Sequence, residues 1–431
     1  MGNVLITEQV FKITSFNGID IYRINADKFK TSSIHFFFMD NLTRENVTKN
    51  ALLPAVLRRG CKAYPTFKDI TVQLEKLYGA TFDCGVAKKG EWHIIQFHTE
   101  FLSQQYIPDG EDSFAAAFDM LYSIIARPAF ENGRFNESYL VQEKDKLRML
   151  IESRVNDKMQ YSIERCLEEV CRNEPYGICE YGFVEDLEAI NSEEMTNHYT
   201  NVSEKLPLRV YLAGSINDRQ VDMVVECLSK MSRKDIKPIY SGFSKKQETD
   251  VKQVTETMNI TQGKLCLGFR TNIAPDSDDF KALMVYSGIL GGGIHSKLFQ
   301  NVREKASLAY YAFSRLEKFK GLMVISSGVE FNKKDKALEI ILKQLDEIKS
   351  GIITEQELEA TVKNMETGIK SLGDNQMSIV DFYLSQTVSG TNDNFNDIIE
   401  KVNSVTIGEI VRVASEITLD TVYFLTAPRQ E

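Results

Sequence analysis

The chain has 431 residues, and its 51 Lys and Arg residues against 61 Asp and Glu residues give a formal net charge of −10. Apolar residues make up 43% of the sequence, with only 9 Pro and 25 Gly, which excludes collagen-like and wholly disordered chains. At about 150 residues per domain, this length predicts two or three domains. The acidic balance argues against a broad basic surface, so no nucleic-acid partner is expected.

Neither a secretory signal nor a membrane span is predicted. The stretch from Met1 to Phe16 carries Glu8 and lacks an apolar core behind a basic cluster. Apolar runs such as Ile34–Met39 fall far short of the roughly 20 residues that a helix needs to cross a bilayer, so no membrane partner is expected. The seven cysteines are odd in number and form no C-x-x-C pair, which favours reduced, buried thiols in a cytoplasmic protein.

The local patterns predict strands and helices in a similar order in each half of the chain. Ser113–Ile125 and Asp335–Ile348 have apolar residues at helical spacing, and Thr354 followed by Glu357 is a capping box. We therefore predict an α+β fold in which each mostly antiparallel sheet has helices packed on one face. The predicted strands are β-rich stretches bounded by Gly or charge: Ile34–Met39, Thr81–Ala87, Trp92–Phe101, Leu265–Arg270, Leu308–Leu316 and Leu322–Val329.

The two halves also resemble each other in sequence. The stretches "LEAINSEEMTNHY" and "RVYLAG" of the first half match "IEKVNSVTIGEIV" and "TVYFLTAP" of the second. Asn191 matches Asn403 and Tyr211 matches Tyr423, both at an offset of 212 residues. Self-similarity at a fixed spacing predicts a duplicated structural unit. The chain should therefore consist of two homologous domains.

A linker between the two domains is predicted over residues 229–251. This segment is charged, contains Pro238 and Gly242, and lacks helical periodicity. We therefore predict an N-terminal α+β domain over residues 1–228 and a C-terminal α+β domain over residues 252–431. Two similar units joined in this way should leave a cleft between them.

Three segments carry a resemblance to a known family: "ALLPAVLRRGCKAYPTFKDITVQLEKLYGA", "NEPYGICEYGFVEDLEAINSEEM" and "LGGGIHSKLFQNVREKASLAYYAFS". Over nearly its whole length the chain resembles the two-domain, processing-peptidase-like branch of the pitrilysin/insulinase zinc-peptidase family. It is most similar to the inactive bacterial members that lack the H-x-x-E-H motif, of the kind associated with elongation factor P modification. The resemblance implies a metallopeptidase-like half chamber.

The resemblance also shows which catalytic groups this chain lacks. In active members, H-x-x-E-H lies on the helix before a Gly-Cys-Lys-type turn, where the two His bind zinc and the Glu acts as base. The matching residues here are Ala51, Pro54 and Ala55, which can neither ligate a metal nor accept a proton. The third ligand position, seven residues beyond Glu143, is Leu150. We therefore expect a degenerate zinc site, with no catalytic residue and no cofactor in this chain.

No other set of residues forms a convincing metal site. Glu152 is an alternative third ligand if the alignment slips, but a lone Glu does not hold a catalytic zinc. His93 and His98 should lie on opposite faces of a predicted strand. Glu194 and His198 have i,i+4 helical spacing, which more often indicates a solvated ion pair. An autonomous metalloenzyme with unorthodox ligands is therefore the weakest interpretation.

The second half contains a glycine run, Gly291–Gly293, which fits neither common phosphate-binding loop motif. We expect it to end one helix and to allow a tight turn before another helix over Ser296–Glu304. A nucleotide site is not predicted.

The resemblance assigns a role to Arg303 and Tyr310. In the family, an Arg and a Tyr seven residues apart lie across the chamber from zinc, contact the substrate backbone and stabilise charge on the carbonyl oxygen; Arg303 and Tyr310 match this spacing. Tyr311 should point to the other face of a strand. The alternative is that Arg303 pairs with Glu304 or Glu317 while Tyr310 packs in the sheet.

These observations favour a non-catalytic subunit of a zinc peptidase. The chain would bind an unfolded peptide, which adds as an extra strand to a sheet edge, and a homologous partner chain with an intact H-x-x-E-H would supply the zinc. A homodimer is the alternative assembly. The alternative function is a purely structural or binding scaffold with no role in hydrolysis.

Overall fold

The computed structural model describes residues 10–108, 110–240, 243, 245 and 250–428. The first half forms one six-stranded sheet and its helices. Its strands are β1 (Val10–Phe16), β2 (Ile19–Asn25), β3 (Thr31–Asn41), β4 (Thr81–Lys89), β5 (Trp92–Leu102) and β6 (Leu208–Gly214). Its helices are α1 (Val47–Leu57), α2 (Phe67–Lys76), α3 (Ser113–Ala126), α4 (Glu137–Ser153), α5 (Lys158–Val170), α6 (Ser192–Lys205) and α7 (Asp218–Ser229).

The second half forms a five-stranded sheet and six more helices within the described residues. Its strands are β7 (Lys252–Thr257), β8 (Gly263–Arg270), β9 (Ala309–Glu317), β10 (Leu322–Val329) and β11 (Thr418–Thr426). Its helices are α8 (Phe280–Gly291), α9 (Lys334–Lys349), α10 (Glu355–Leu372), α11 (Gln376–Ser389), α12 (Phe395–Asn403) and α13 (Ile407–Glu416). The six predicted strands, the two predicted helices and the Thr354 capping box are confirmed.

The two sheets have the same topology. Without β1, the first sheet runs β2-β6-β3-β5-β4, and the second runs β7-β11-β8-β10-β9 in the same relative order. In both sheets one neighbouring pair is parallel, β2 with β6 and β7 with β11, and the other pairs are antiparallel. The predicted α+β architecture of two mostly antiparallel sheets with helices is therefore confirmed. The outer strands β4 and β9 occupy equivalent edges.

Each half covers one face of its own sheet and one face of the other sheet. α5, from the first half, packs on the second sheet, where Val170 and Cys166 lie in one buried cluster with Val324 and Tyr423. α11, from the second half, packs on the first sheet, and the Thr387 and Tyr211 hydroxyls are 3.0 Å apart. Helices were predicted on one face only. The second face is buried as well, which explains why every residue of β10 and nine of the eleven residues of β3 are buried.

The tips of two equivalent hairpins meet between the halves. The turn between β4 and β5 contains Gly90, whose φ is +60°, and a side chain at that position would lie 2.9 Å from Cβ of Phe319, in the turn between β9 and β10. Beside this contact, Lys89 of the first half pairs with Asp381 of α11 at 2.7 Å. Edge strands β4 and β9 therefore lead away from one common point.

Buried ion pairs also join the two halves. Glu174 of the first half lies 2.7 Å from both Arg270 and Lys320 of the second half, and Lys320 also pairs with Glu91. Arg270 in turn contacts Asp420 at 3.0 Å. Burial opposes ionisation of Glu174, but the hydrogen bonds and charges of Lys320 and Arg270 outweigh it and hold its pKa below the ordinary value.

The segment predicted as a linker follows α7 and precedes β7. Its residues up to Tyr240 are attached to the first half, because Arg233 donates to the carbonyl of Ser203 at 2.8 Å and the Trp92 indole donates to the carbonyl of Tyr240 at 2.8 Å. The ring of Phe243 instead lies against Gly321 of the second half. Gly242 lies outside the described residues. All seven cysteines are free; five are buried, and Cys84 and Cys227 are half-buried. Of the helices within the described ranges, none combines the length and apolar character needed to span a bilayer.

We predict that Glu174→Gln lowers the free energy of unfolding by about 2–4 kcal/mol, because the buried cations Lys320 and Arg270 would lose their shared counter-charge. Chemical denaturation of the purified chain measures this change. The control is Glu226→Gln, which removes an exposed helical pair with Lys230 and should change the free energy of unfolding by less than about 0.5 kcal/mol. Equal effects of the two substitutions would contradict the assignment.

The difference between wild type and Glu174→Gln should also depend on pH. Since the pKa of Glu174 is lower in the folded chain than its ordinary value of 4.5, the charged carboxylate stabilises the fold fully above that pH. This contribution disappears as the pH falls through the lowered pKa. Denaturation curves measured between pH 7 and pH 3 should therefore converge for the two proteins at the acid end.

Candidate functional site

The helix that carries the degenerate zinc motif opens to solvent along one stripe. Eight of the eleven residues of α1 are buried, which anchors the helix in the core. Ala51 and Ala55 are partly accessible, and Arg58 continues their line just beyond the helix end. Residues four apart share one helix face, so the face on which two ligands would stand is preserved. It now presents methyl groups.

Pro54 and Leu150 complete the set of degenerate positions. Pro54 is buried inside α1, where its carbonyl accepts the Cys84 thiol hydrogen at 3.4 Å, so the position of the catalytic base adjoins β4. Leu150, on α4, is 44% exposed. Two turns before it, the buried Glu143 binds Arg59 instead of facing solvent. The positions of the ligands and base therefore offer no donor atom for zinc.

His93 and His198 belong to buried structural contacts. The Asn50 amide donates to Asp40 at 3.0 Å and lies 3.2 Å from His93 Nδ1, while its oxygen is 2.7 Å from His198 Nε2. Burial lowers the pKa of His93 to about 4 and that of His198 to about 3, so both are neutral near pH 7. The predicted ion pair between Glu194 and His198 is wrong. Glu194 instead completes a capping box with Asn191, because it is the third residue of α6.

Among the described residues, no three His, Cys, Asp or Glu side chains converge where they could hold a metal ion. The residues present therefore do not fit a resident zinc, in agreement with the chemistry of Ala51, Pro54 and Ala55. Neither water activation nor a metal-bound substrate carbonyl can be assigned to this half of the chain.

In the second half, Arg303 and Tyr310 lie on accessible elements. Arg303 belongs to a π-helical segment, Phe299–Lys305, which replaces most of the predicted helix over Ser296–Glu304. Its side chain is 44% exposed, lies 3.6 Å from Glu304 and stacks 4.6 Å from the Phe299 ring. One predicted alternative, an Arg303–Glu304 pair, is therefore present in the structure. Glu317 instead accepts the Tyr176 hydroxyl at 2.7 Å.

Tyr310 is placed by an irregularity of the edge strand β9. Along β10, Gly328 pairs with Tyr311 and the next residue pairs with Ala309, so Tyr310 is skipped by the register. Such a bulge re-aims a side chain, and Tyr310 is 65% exposed. Tyr311 is less exposed, and its ring would lie 2.6 Å from a Cβ placed at its partner Gly328, so it packs over β10. The opposite orientation of Tyr310 and Tyr311 stays a prediction.

The glycine run has a packing role. α8 ends at Gly291, and a Cβ at that position would lie 2.2 Å from the backbone nitrogen of Ser314 in β9. The close approach of helix to strand thus requires Gly291, in addition to the turn that was predicted. This contact holds α8 against the strand that carries Tyr310.

The free edge of β4 was not located by sequence reasoning. The turn between Lys89 and Trp92 has two residues, so these two residues form a hydrogen-bonded pair and the backbone groups of Lys89 face β5. The facing direction alternates along the strand, so the backbone groups of Val86 and Cys84 point away from β5. Consistently, the Cys84 amide donates to its neighbour's side chain, Asp83 Oδ1, at 2.8 Å. The short loop with Gly90 was the sequence signal that could have indicated this register.

The two sets of candidate residues lie on separate sheets. Cys84, beside the degenerate motif, is five residues from the end of β4, or about 16 Å along the strand. Tyr310 is seven residues from the end of β9, or about 23 Å. Since the two hairpins meet at those ends, each set lies out along its own edge strand. The structure brings Arg303 and Tyr310 to one end of β9, but does not assemble them around Ala51, Pro54 and Ala55.

A duplicated α+β chain that keeps the helix of a zinc site, with Ala51, Pro54 and Ala55 at the motif positions, defines a metallopeptidase-like protein with a degenerate zinc site. Residues 189–365 match the family described as "Peptidase M16 inactive domain". The chain is 34% identical to a probable inactive metalloprotease, YmfF, of Bacillus subtilis, over 95% of this chain and 96% of that protein. The chain belongs to the M16 peptidase family, among its inactive members.

Solved structures share the fold over the whole chain. A conserved protein from Enterococcus faecalis superposes with a TM-score of 0.90 at 27% identity, covering 98% of this chain and 99% of the other. An M16 inactive-domain protein from Pseudomonas fluorescens superposes with a TM-score of 0.80 at 15% identity, covering 99% of both chains. The second likeness, at low identity, concerns the fold alone.

Restoring ligands should test whether the open stripe of α1 keeps the geometry of a zinc site. We predict that a triple variant, Ala51→His with Ala55→His and Leu150→Glu, binds one zinc ion per chain, because three ligands would again face one space. Metal analysis after dialysis measures the stoichiometry. The matched control places the Glu at Val141, on the opposite face of α4, and should retain far less zinc. Equal zinc in both variants would refute the role of Leu150.

Proposed function

We propose that the chain is a non-catalytic subunit of a zinc peptidase, which binds an extended peptide and contributes Arg303 and Tyr310 to a site completed by a partner chain. One observation carries the proposal: the accessible stripe of α1 has lost its ligands, whereas Arg303 and Tyr310 remain exposed on the second sheet. The partner would be a homologous subunit with an intact H-x-x-E-H motif, and the zinc would be held there.

The chemistry of Arg303 and Tyr310 suits a subunit that stabilises the substrate while its partner holds the zinc. A guanidinium and a phenol hydroxyl are both donors, and donors aimed at a developing oxyanion can supply several kcal/mol of transition-state stabilisation in a site from which water is excluded. Exposure of both side chains in the isolated chain leaves them available to a substrate held between two subunits.

The free edge of β4 supports peptide binding. Backbone groups at Val86 and the carbonyl of Cys84 point away from the sheet, and an extended peptide could pair with them as an added strand once the Cys84 amide is released from Asp83. Main-chain pairing gives affinity with little dependence on sequence, which suits unfolded peptides as substrates.

From the resemblance and the composition we also propose two domains, over residues 1–228 and 252–431, with a linker over 229–251. On the same basis we propose an association with elongation factor P modification. A cytoplasmic location agrees with seven free cysteines. Assembly as a homodimer stays the alternative to a heterodimer.

We predict that mixing the chain with a zinc-bearing homologue raises peptide cleavage above that of the homologue alone. Arg303→Ala and Tyr310→Phe should each lower the gain in kcat by about 100-fold, because each removes one donor to the oxyanion. The readout is cleavage of a fluorogenic peptide. Control substitutions are Arg148→Ala and Tyr106→Phe, whose side chains are exposed in the first half and should leave cleavage unchanged.

The alternative, a scaffold without a role in hydrolysis, is favoured by the local contacts of Arg303 with Glu304 and Phe299, which give this side chain a partner without substrate. If both test substitutions leave cleavage by the mixture unchanged while the two chains still co-elute, the scaffold function would replace the proposed one. If mixing itself changes nothing, the assignment as a peptidase subunit fails.

A further inference from the structure

The open stripe of α1 ends on Arg58, a cation for which the described part of the chain supplies no acidic partner. The guanidinium of Arg58 stacks 5.1 Å from the ring of Phe67, and its buried Nε–H finds no hydrogen-bond acceptor among the described residues. Phe67 is itself 45% exposed. A buried donor without an acceptor costs free energy, so the site is poised to gain from an acceptor that arrives with a ligand.

The neighbouring Arg59, unlike Arg58, has its side-chain donors bound within the chain. Arg59 binds the carboxylate of Glu143 and the side-chain oxygen of Gln142, the latter at 2.8 Å, and stacks on the ring of Tyr139. Both of its hydrogen-bonding partners lie on α4. The two consecutive arginines therefore have different contacts. The Arg59 side chain links α1 to α4, whereas the Arg58 side chain has an Nε–H that is free to donate to a ligand.

Arg58 is also close to the free edge of β4. The Pro54 carbonyl accepts both the Cys84 thiol hydrogen, at 3.4 Å, and the Arg58 backbone amide, at 3.0 Å, so Arg58 and Cys84 of β4 meet at one carbonyl oxygen. The Cys84 side chain faces α1, since it contacts the carbonyl of Pro54. The acids of this region are already engaged, Glu143 with Arg59 and Asp83 with the Cys84 amide.

We propose that Arg58 binds a carboxylate of an extended peptide that lies along β4, while a neighbouring apolar side chain of that peptide packs on Ala51 and Ala55. The inference rests on the proposed function, since it takes peptide binding at this edge as given, and it adds the chemical class of the ligand. The carboxylate could be an Asp or Glu side chain or the C-terminus of the chain, and both present the same oxygens to the guanidinium.

The experiment measures binding of labelled ten-residue peptides to the full chain by fluorescence anisotropy. The reference is an alanine-rich peptide with blocked ends, into which a single Glu is moved one position at a time. Since alternate side chains of a strand point to opposite faces, affinity should rise about three- to tenfold at alternate positions only, relative to Gln at the same position. A second set with a free C-terminal carboxylate distinguishes the two sources.

Arg58→Gln should abolish the preference for Glu while leaving the affinity for the neutral peptide unchanged, and Arg58→Glu should transfer the preference to Lys-bearing peptides. Arg219→Gln, on the exposed face of α7, is the matched control and should behave as wild type. If neutral and acidic peptides bind equally, the carboxylate site is refuted and the proposed function stands. If no peptide binds, both fail. A Glu effect that survives Arg58→Gln would also refute the site.

Discussion

The burial of both faces of each sheet is the constraint on which the rest of the structure depends. Neither half covers its own sheet completely, so each gives one helix, α5 or α11, to the other. The buried ion pairs of Glu174 and the contact of Gly90 with Phe319 lie at the same junction. Because all these contacts join one half to the other, the directions of the edge strands β4 and β9 are fixed relative to that junction.

In this family the zinc ligands can be lost while the fold is kept, and the packing of α1 explains why. Its eight buried residues hold the helix in the core, whereas the ligand positions Ala51 and Ala55 lie on the stripe that faces out. Substitution on that stripe removes zinc binding without opening a cavity, since those side chains contribute little to the core. The substitution at Pro54 does affect stability, because a proline inside a helix removes one backbone hydrogen bond.

Much of the fold could be predicted from sequence because its signals are local. Continuous apolar runs such as Ile34–Met39 marked strands, and helical spacing marked α3 and α9. The exchange of α5 and α11 could not be predicted, because an apolar stripe shows that a helix face is buried but not against which sheet. The positions of Ala51, Pro54 and Ala55 followed from the resemblance, whereas the Asn50 contacts with His93 and His198 depend on residues distant in sequence.

The chain has two accessible surfaces of different chemistry, one at the edge strand β4 and one at the edge strand β9. On β4 the open edge adjoins methyl groups and the guanidinium of Arg58, whose Nε–H meets no acceptor within the described ranges, and in the proposed function this surface holds the peptide. On β9 the bulge exposes Tyr310 near Arg303, a surface of donors suited to polarising a carbonyl. The two surfaces lie out along different edge strands, and among the described residues neither has three side chains that could hold a zinc ion. Under the proposed function, hydrolysis at either surface therefore depends on zinc held by a partner chain.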